Sequence, residues 1–249
     1  MNKLFKIAFV IALVVTNASN ANAQLFKDIV NTANNVINNN SGNTNNNKGG
    51  FSNADAVSAL KEALQIGTRN ASGRLNVLNG YFGNQLIKIL MPPEARQIES
   101  TLRSMGMGDQ VDKAILSMNR AAEDAASQAV PIFVNAITGM TIQDGIGIVR
   151  GGQGAATNFL KNTTTQALTN AFRPQIQNSL NKVGATRYWA DIVNIYNKVP
   201  FVQKMNPDLA GYVTERALNG LFITIADEEN KIRTNPASRV TDLLKKVFG

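Results

Sequence analysis

Residues 109–136 read DQVDKAILSMNRAAEDAASQAVPIFVNA. Apolar or small residues stand at Val111, Ile115, Met118, Ala122, Ala125, Ala129, Ile132 and Ala136. Steps of four and three keep them on one face of a helix, so the stretch predicts one long helix in two parts. Asp109 is the expected N-cap, because its carboxylate can accept from the first-turn N–H groups. Alanines at 121, 122, 125, 126 and 129 make this helix thin. A thin helix admits neighbours closely on more than one side, which places it in the middle of the fold. Pro131 has no N–H for the carbonyl of Ser127, so a kink is expected there.

A second face of the same helix carries Leu116, Asn119, Glu123 and Ala126. Arg120 lies three before Glu123 and four before Asp124, within pairing distance on a helix. Asn119, Arg120 and Glu123 are therefore candidate binding residues in a half-buried polar cluster. The competing reading, a hydrogen-bond network that fixes helix packing, is the preferred one, because structural ion-pair networks imitate sites.

Upstream, Ser52 or Asn53 can cap a helix through Val57, Leu60, Leu64 and Ala71. Gly80 and Gly83 bracket Tyr81 and Phe82 in a turn, and residues 84–90 are short and apolar, helix or strand. Pro92 and Pro93 stop that run. Pro93 suits the first turn of the next helix, with Ile98, Leu102 and Met105 on one face.

Downstream, Thr141 and Asp144 form a capping box before a short helix to Arg150. Gly145, Gly147, Gly151, Gly152 and Gly154 lack the spacing of a phosphate loop and no strand precedes them, so they end one helix and start another. Residues 155–183 carry Ala156, Leu160, Thr163, Ala167 and Ala171 on one stripe, with Pro174 marking a kink or break. Thr186 is the expected cap of a helix whose inner face holds Tyr188, Trp189, Ile192 and Tyr196. Asn206-Pro207 opens a helix with Leu209, Val213, Ala217, Leu221 and Ile225 inside. Its run 221–226 is apolar all round and reads as buried helix rather than strand. Asp227, Glu228 and Glu229 read as a solvated or locally paired cluster beside Lys231, Arg233 and Arg239. A last short helix is expected over 240–248.

The sequence thus predicts an all-α fold, a single multi-helix domain of roughly eight to ten helices around a central Ala-rich helix. The chain has 249 residues with neither His nor Cys. Disulfides, Ser–His–Asp and Cys–His catalysis and the usual zinc and copper sites are excluded, so no metal site, cofactor or catalytic residue is assigned.

Residues 1–23 read as a cleavable signal peptide. Lys3 and Lys6 precede an apolar run over 7–15 that is too short to span a membrane, and Ala21-Asn22-Ala23 has the small-x-small cleavage pattern. No Cys follows, so a lipoprotein is not expected. Without Lys3 and Lys6 the formal charge falls by two, from +8 to +6. Residues 24–37 carry an amphipathic helical stripe, and the Asn-rich run to residue 50 reads as a flexible linker. The helical domain is expected over 51–249.

Ala59-Leu60-Lys61-Glu62-Ala63-Leu64, the Ser117–Glu123 stretch SMNRAAE, Pro131-Ile132-Phe133, Asn206-Pro207-Asp208-Leu209, Tyr212-Val213-Thr214-Glu215 and the closing TDLLKKVFG from Thr241 resemble domain-of-unknown-function family 4197. The resemblance runs in order from about residue 51 to the end. It implies exported bacterial proteins, mostly Gram-negative, with a helical domain and no established activity.

The expected role is a periplasmic or secreted, non-enzymatic binding module. Its partner would be an envelope protein, a lipid or a cell-wall polymer, with no nucleic acid and no transmembrane span after signal cleavage. The alternative is a carboxylate-dependent enzyme acting on cell-wall glycan, which needs two suitably spaced carboxylates and no His. Glu123, Glu215 and Glu228 are its candidates. An open cleft with two facing carboxylates would favour the enzyme.

Overall fold

The computed structural model describes residues 53–198, 200–201 and 204–235. The signal peptide, the segment 24–50 and the closing helix over 240–248 lie outside the described residues. Within them the chain forms helices α1 (Asn53–Leu75), α2 (Arg96–Ser104), α3 (Gly108–Ala125), α4 (Ala129–Thr138), α5 (Ile142–Arg150), α6 (Ala155–Lys182), α7 (Ala185–Tyr196) and α8 (Leu209–Thr234). Short 3-10 helices at Pro93–Ala95 and Ala126–Gln128 complete the order, with no strand among the described residues. Because α3 and α4 join through the second of these, the described residues form seven helical rods, slightly fewer than the eight to ten expected of the domain.

The helices gather into two compact units. Of the described residues, the smaller takes 53–63 of α1, Met140–Ala155 and 230–235. Its helix α5 opens with the expected capping box. Thr141 Oγ1 accepts from the Asp144 N–H at 3.1 Å, and Asp144 Oδ2 accepts from the Thr141 N–H at 3.0 Å. Gly145 lies against α1, where a Cβ would stand 2.7 Å from Val57 Cγ2. Gly152 and Gly154 take positive φ, 71° and 81°, in the turn into α6. The glycine cluster therefore ends one helix and begins the next, as its spacing predicts.

The larger unit comprises Leu64–Gly139 and Ala156–Glu229. In it α3 is deeply buried: Ala121, Ala122 and Ala125 have no exposed surface, and neither do Ala126 and Ala129 beyond its end. The N-cap of α3 is Met107, not Asp109, which sits exposed in the first turn where its charge favours the helix N-terminus. The break expected at Pro131 falls just before it, as the 3-10 turn at residues 126–128, and leaves Pro131 in the first turn of α4 where its missing N–H costs nothing. A 3-10 turn advances the chain by about 120° per residue rather than 100°. The buried stripe accordingly continues as Ala129, Phe133 and Ile137, while Ile132 and Ala136 are only half-buried.

A similar offset corrects α6. Its buried stripe is Ala156, Leu160, Thr164, Leu168, Phe172, Ile176 and Leu180, not Thr163, Ala167 and Ala171. The expected stripe followed small residues, whereas Leu168 and Phe172 remove far more apolar area from water. The helix also runs unbroken through Pro174. Helix α7 starts two residues earlier than expected, from Gly184 in the left-handed region at φ 71°, so Thr186 is not its cap. It buries Trp189 and Val193 and leaves Tyr188 and Ile192 exposed. Helix α8 starts at Leu209 rather than at Asn206-Pro207, with Asp208 Oδ1 accepting from the Gly211 N–H at 2.8 Å, but its expected inner face holds: Leu209, Val213, Ala217, Leu221 and Ile225 are all buried, and the run 221–226 is helical. Phe133 and Phe222 meet edge to face there, ring centroids 6.3 Å apart.

Candidate functional site

Between α1 and the first 3-10 helix the chain forms neither helix nor strand. Residues 76–92 instead make consecutive turns, closed by backbone bonds from the Gly80 N–H to Val77, from the Gly83 N–H to Asn79 and from the Lys88 N–H to Asn84. The glycines are required by close approach. A Cβ on Gly80 would stand 2.4 Å from the Leu75 carbonyl oxygen, and one on Gly83 would stand 2.8 Å from that of Asn79. Asn79 takes φ 68°, a conformation its short amide tolerates.

Three of the sequence candidates hold this loop. Glu123 Oε1 accepts from the backbone N–H groups of Tyr81 and Phe82, each at 3.1 Å. Its other oxygen accepts from Arg120, which also donates to the Asn79 side chain at 2.9 Å. One turn earlier, Asn119 treats Ile89 as a strand partner would. It accepts from the Ile89 N–H at 2.9 Å and donates to the Ile89 carbonyl at 2.8 Å. Both Asn119 and Glu123 are buried, so in place of a neighbouring strand the helix supplies two polar side chains that satisfy the loop's backbone.

Two tyrosines that the sequence reading did not single out as functional complete the anchorage. Tyr81 is fully buried and its hydroxyl donates to the Ala217 carbonyl on α8 at 2.8 Å. Burial, and then the Glu123 carboxylate, push its phenol far above the ordinary tyrosine range. Gly220 makes room for it, since a Cβ there would stand 2.8 Å from the Tyr81 ring. Tyr212 donates to the Leu90 carbonyl at 3.0 Å, and burial raises its pKa as well. The Gly-Tyr-Phe-Gly pattern signals a turn, but nothing local to it reveals that Tyr81 points into the core.

The loop exposes four apolar side chains among the amides of Asn76, Asn79, Asn84 and Gln85. Val77, Leu78, Leu86 and Leu90 are 54, 73, 80 and 55% exposed. Phe82 is half-buried, with Lys88 Nζ 4.0 Å and the Arg120 guanidinium 5.8 Å from its ring centroid.

The remaining candidates are elsewhere and do not converge with Glu123. Glu215 lines an open groove of about 430 Å³ between α6 and α8, together with Lys161, Arg173, Asn219, Leu218 and Phe222. Among the described residues lining that groove, Glu215 is the one carboxylate. Glu228 accepts from Asn70 at 3.3 Å and pairs with Arg74 at 3.2 Å. It is buried rather than solvated, which corrects the reading of the 227–229 run. Glu229 is buried too and caps α6, accepting from the N–H groups of Ala156 and Thr157 and from the Thr157 hydroxyl. The sequence pattern missed both because their partners lie about 70 to 160 positions away.

Among the described residues no group of three or more Asp or Glu stands together as a metal site, and no single helix is long and apolar enough to cross a membrane. No curated protein and no solved structure matches the chain. The family model described as "protein of unknown function (DUF4197)" matches residues 50–249, and the chain belongs to that family.

Proposed function

We propose that the chain is exported to the periplasm of a Gram-negative bacterium and acts there as a non-enzymatic binding module, with the 76–92 loop as its docking surface. Export rests on the targeting pattern of residues 1–23. Docking rests on one observation: buried Glu123 and Asn119 are committed to holding an irregular loop that exposes three leucines and a valine among its amides. Exposing Leu78 and Leu86 gives nothing to folding, whereas a fixed loop with apolar tips binds without the entropy loss of ordering itself. The test replaces Leu86 with Ser in the full chain and follows both melting temperature and association with the envelope fraction. Unchanged melting with lost association supports the reading. Unchanged association sinks it.

The α6–α8 groove supports the glycan-acting alternative through Glu215 alone. Hydrolysis by a carboxylate pair needs a second carboxyl across the scissile bond. Glu123 and Glu228 are held by their own partners away from the groove lining. Release of reducing ends from purified peptidoglycan, abolished by Glu215→Gln, would reverse the preference.

A further inference from the structure

Granted that the loop is the docking surface, we infer that its partner is an anionic phospholipid bilayer, into which Leu78 and Leu86 insert while Lys88 meets the headgroups. The first support is charge. Between Glu62 and Glu94 the chain carries Arg69, Arg74 and Lys88 and no acidic residue. Three carboxylates that reach this region from other elements are each held by a cation. Glu123 is held by Arg120, Glu228 by Arg74, and Asp112, which feels the charge of Lys88, by Arg103 at 2.7 Å. Glu94 and Glu215 act only at Tyr212, which bonds Leu90 at the loop's far end, so the stretch from Arg69 to Lys88 presents cations and amides, on a chain of formal charge +6 once residues 1–23 are removed.

The second support is the kind of apolar surface. Protein hot spots are aromatic rings or arginines seated in pockets. Here the rings are withdrawn: Tyr81 is fully buried and Phe82 lies under Lys88. What is offered outward is flexible aliphatic tips on separate turns, interleaved with Asn76, Asn79, Asn84 and Gln85. Such a surface suits the headgroup boundary, where apolar tips enter the acyl region and polar neighbours stay in the wet layer. The Lys88 ammonium lies over the half-buried Phe82 ring, which holds a positive charge beside the loop's apolar side chains.

The absence of cysteine permits a direct test. Protein exported from cells expressing the full chain is labelled at Leu86→Cys with a polarity-sensitive fluorophore. A second sample carries the label at Asn162→Cys, an exposed position on α6. Each is titrated with vesicles of phosphatidylcholine alone and of phosphatidylcholine with phosphatidylglycerol. A blue shift at Leu86 with the anionic vesicles, absent at Asn162, is the expected result. Cosedimentation of a Leu78→Ser/Leu86→Ser variant should weaken by about tenfold or more, as losing two inserted side chains implies, with its melting temperature unchanged. No shift at Leu86, or equal shifts at both sites, overturns the lipid assignment. If Leu86→Ser nonetheless loses its envelope association while the vesicles give no shift, the docking reading stands and only the lipid partner is wrong.

Discussion

Glu123 accepts three hydrogen bonds from deep within the larger unit, two of them from backbone N–H groups of the loop. Glu123→Ala strands those donors and Arg120, so it should lower unfolding free energy by about 3 kcal/mol or more. Glu123→Gln retains an acceptor for the N–H pair and should cost clearly less. Urea unfolding of both variants checks the order, and an alanine variant as stable as wild type would return Glu123 to the list of binding residues. The four-residue spacing of Asn119 and Glu123 among apolar neighbours was readable in the sequence, as was Arg120 one turn away. Their partners were not. The acceptors and donors they serve lie about 30 to 42 positions upstream, in a segment whose apolar run 84–90 resembles a regular element. Periodicity reports which face of a helix is buried, and it is silent on an irregular loop whose geometry is imposed by contacts distant in sequence.

Among the helices, the two readings that missed by one position, in α4 and α6, share a physical origin. A stripe of small residues and a stripe of large ones can both satisfy steps of three and four, and the larger buried area decides between them. A 3-10 turn then rotates the face in a way no fixed period anticipates. Where the expected cap is right, as in α5, or large apolar residues set the face, as in α8, the sequence reading and the structure coincide there. Glycines on these helices divide by surroundings in the same way. Gly147 on α5 is exposed with nothing near its missing Cβ, so Gly147→Ala should raise the melting temperature, by up to about 1 kcal/mol of helix propensity. Gly220 on α8 faces the buried Tyr81 ring and the Ile87 Cβ at 3.1 Å. There the strain of overpacking, about 1–3 kcal/mol, opposes that gain. Gly220→Ala should therefore melt below wild type, and a rise would mean that Tyr81 can shift with its hydroxyl bond intact. The capping box of α5 adds a pH dependence. Hydrogen bonds from the Thr141 side chain and backbone hold the Asp144 pKa below its ordinary value. The stabilisation is then fully present above the unfolded carboxylate pKa, about pH 4, and lost as pH falls through the lower folded value. The acid-induced loss in α5 should shrink in Asp144→Asn, measured by the pH profile of the urea midpoint.

The whole chain combines a net positive charge with an absence of His and Cys and a targeting pattern at its start. Without imidazole or thiolate, the protein offers transition metals only carboxylates, hydroxyls and amides, which are hard ligands suited to calcium or magnesium. Elemental analysis of untagged protein should find no stoichiometric zinc, copper or iron. The absence of cysteine also frees the fold from any dependence on the redox state of its compartment, so its stability should be the same with and without reductant. Export is the remaining question at this scale, and it has a sharp readout. On the proposed export, Lys3 and Lys6, the apolar run over 7–15 and Ala21-Asn22-Ala23 would direct cleavage after Ala23. The apolar run is well short of the ~20 residues that span a bilayer, so retention as an anchor would leave a stretch unable to cross the membrane. The intact mass of protein recovered from the periplasm should correspond to a chain beginning at Gln24. A mass that still includes residues 1–23 would mean that the segment stays attached. Membrane association would then have to be assigned to it before any was credited to the loop at Leu78 and Leu86.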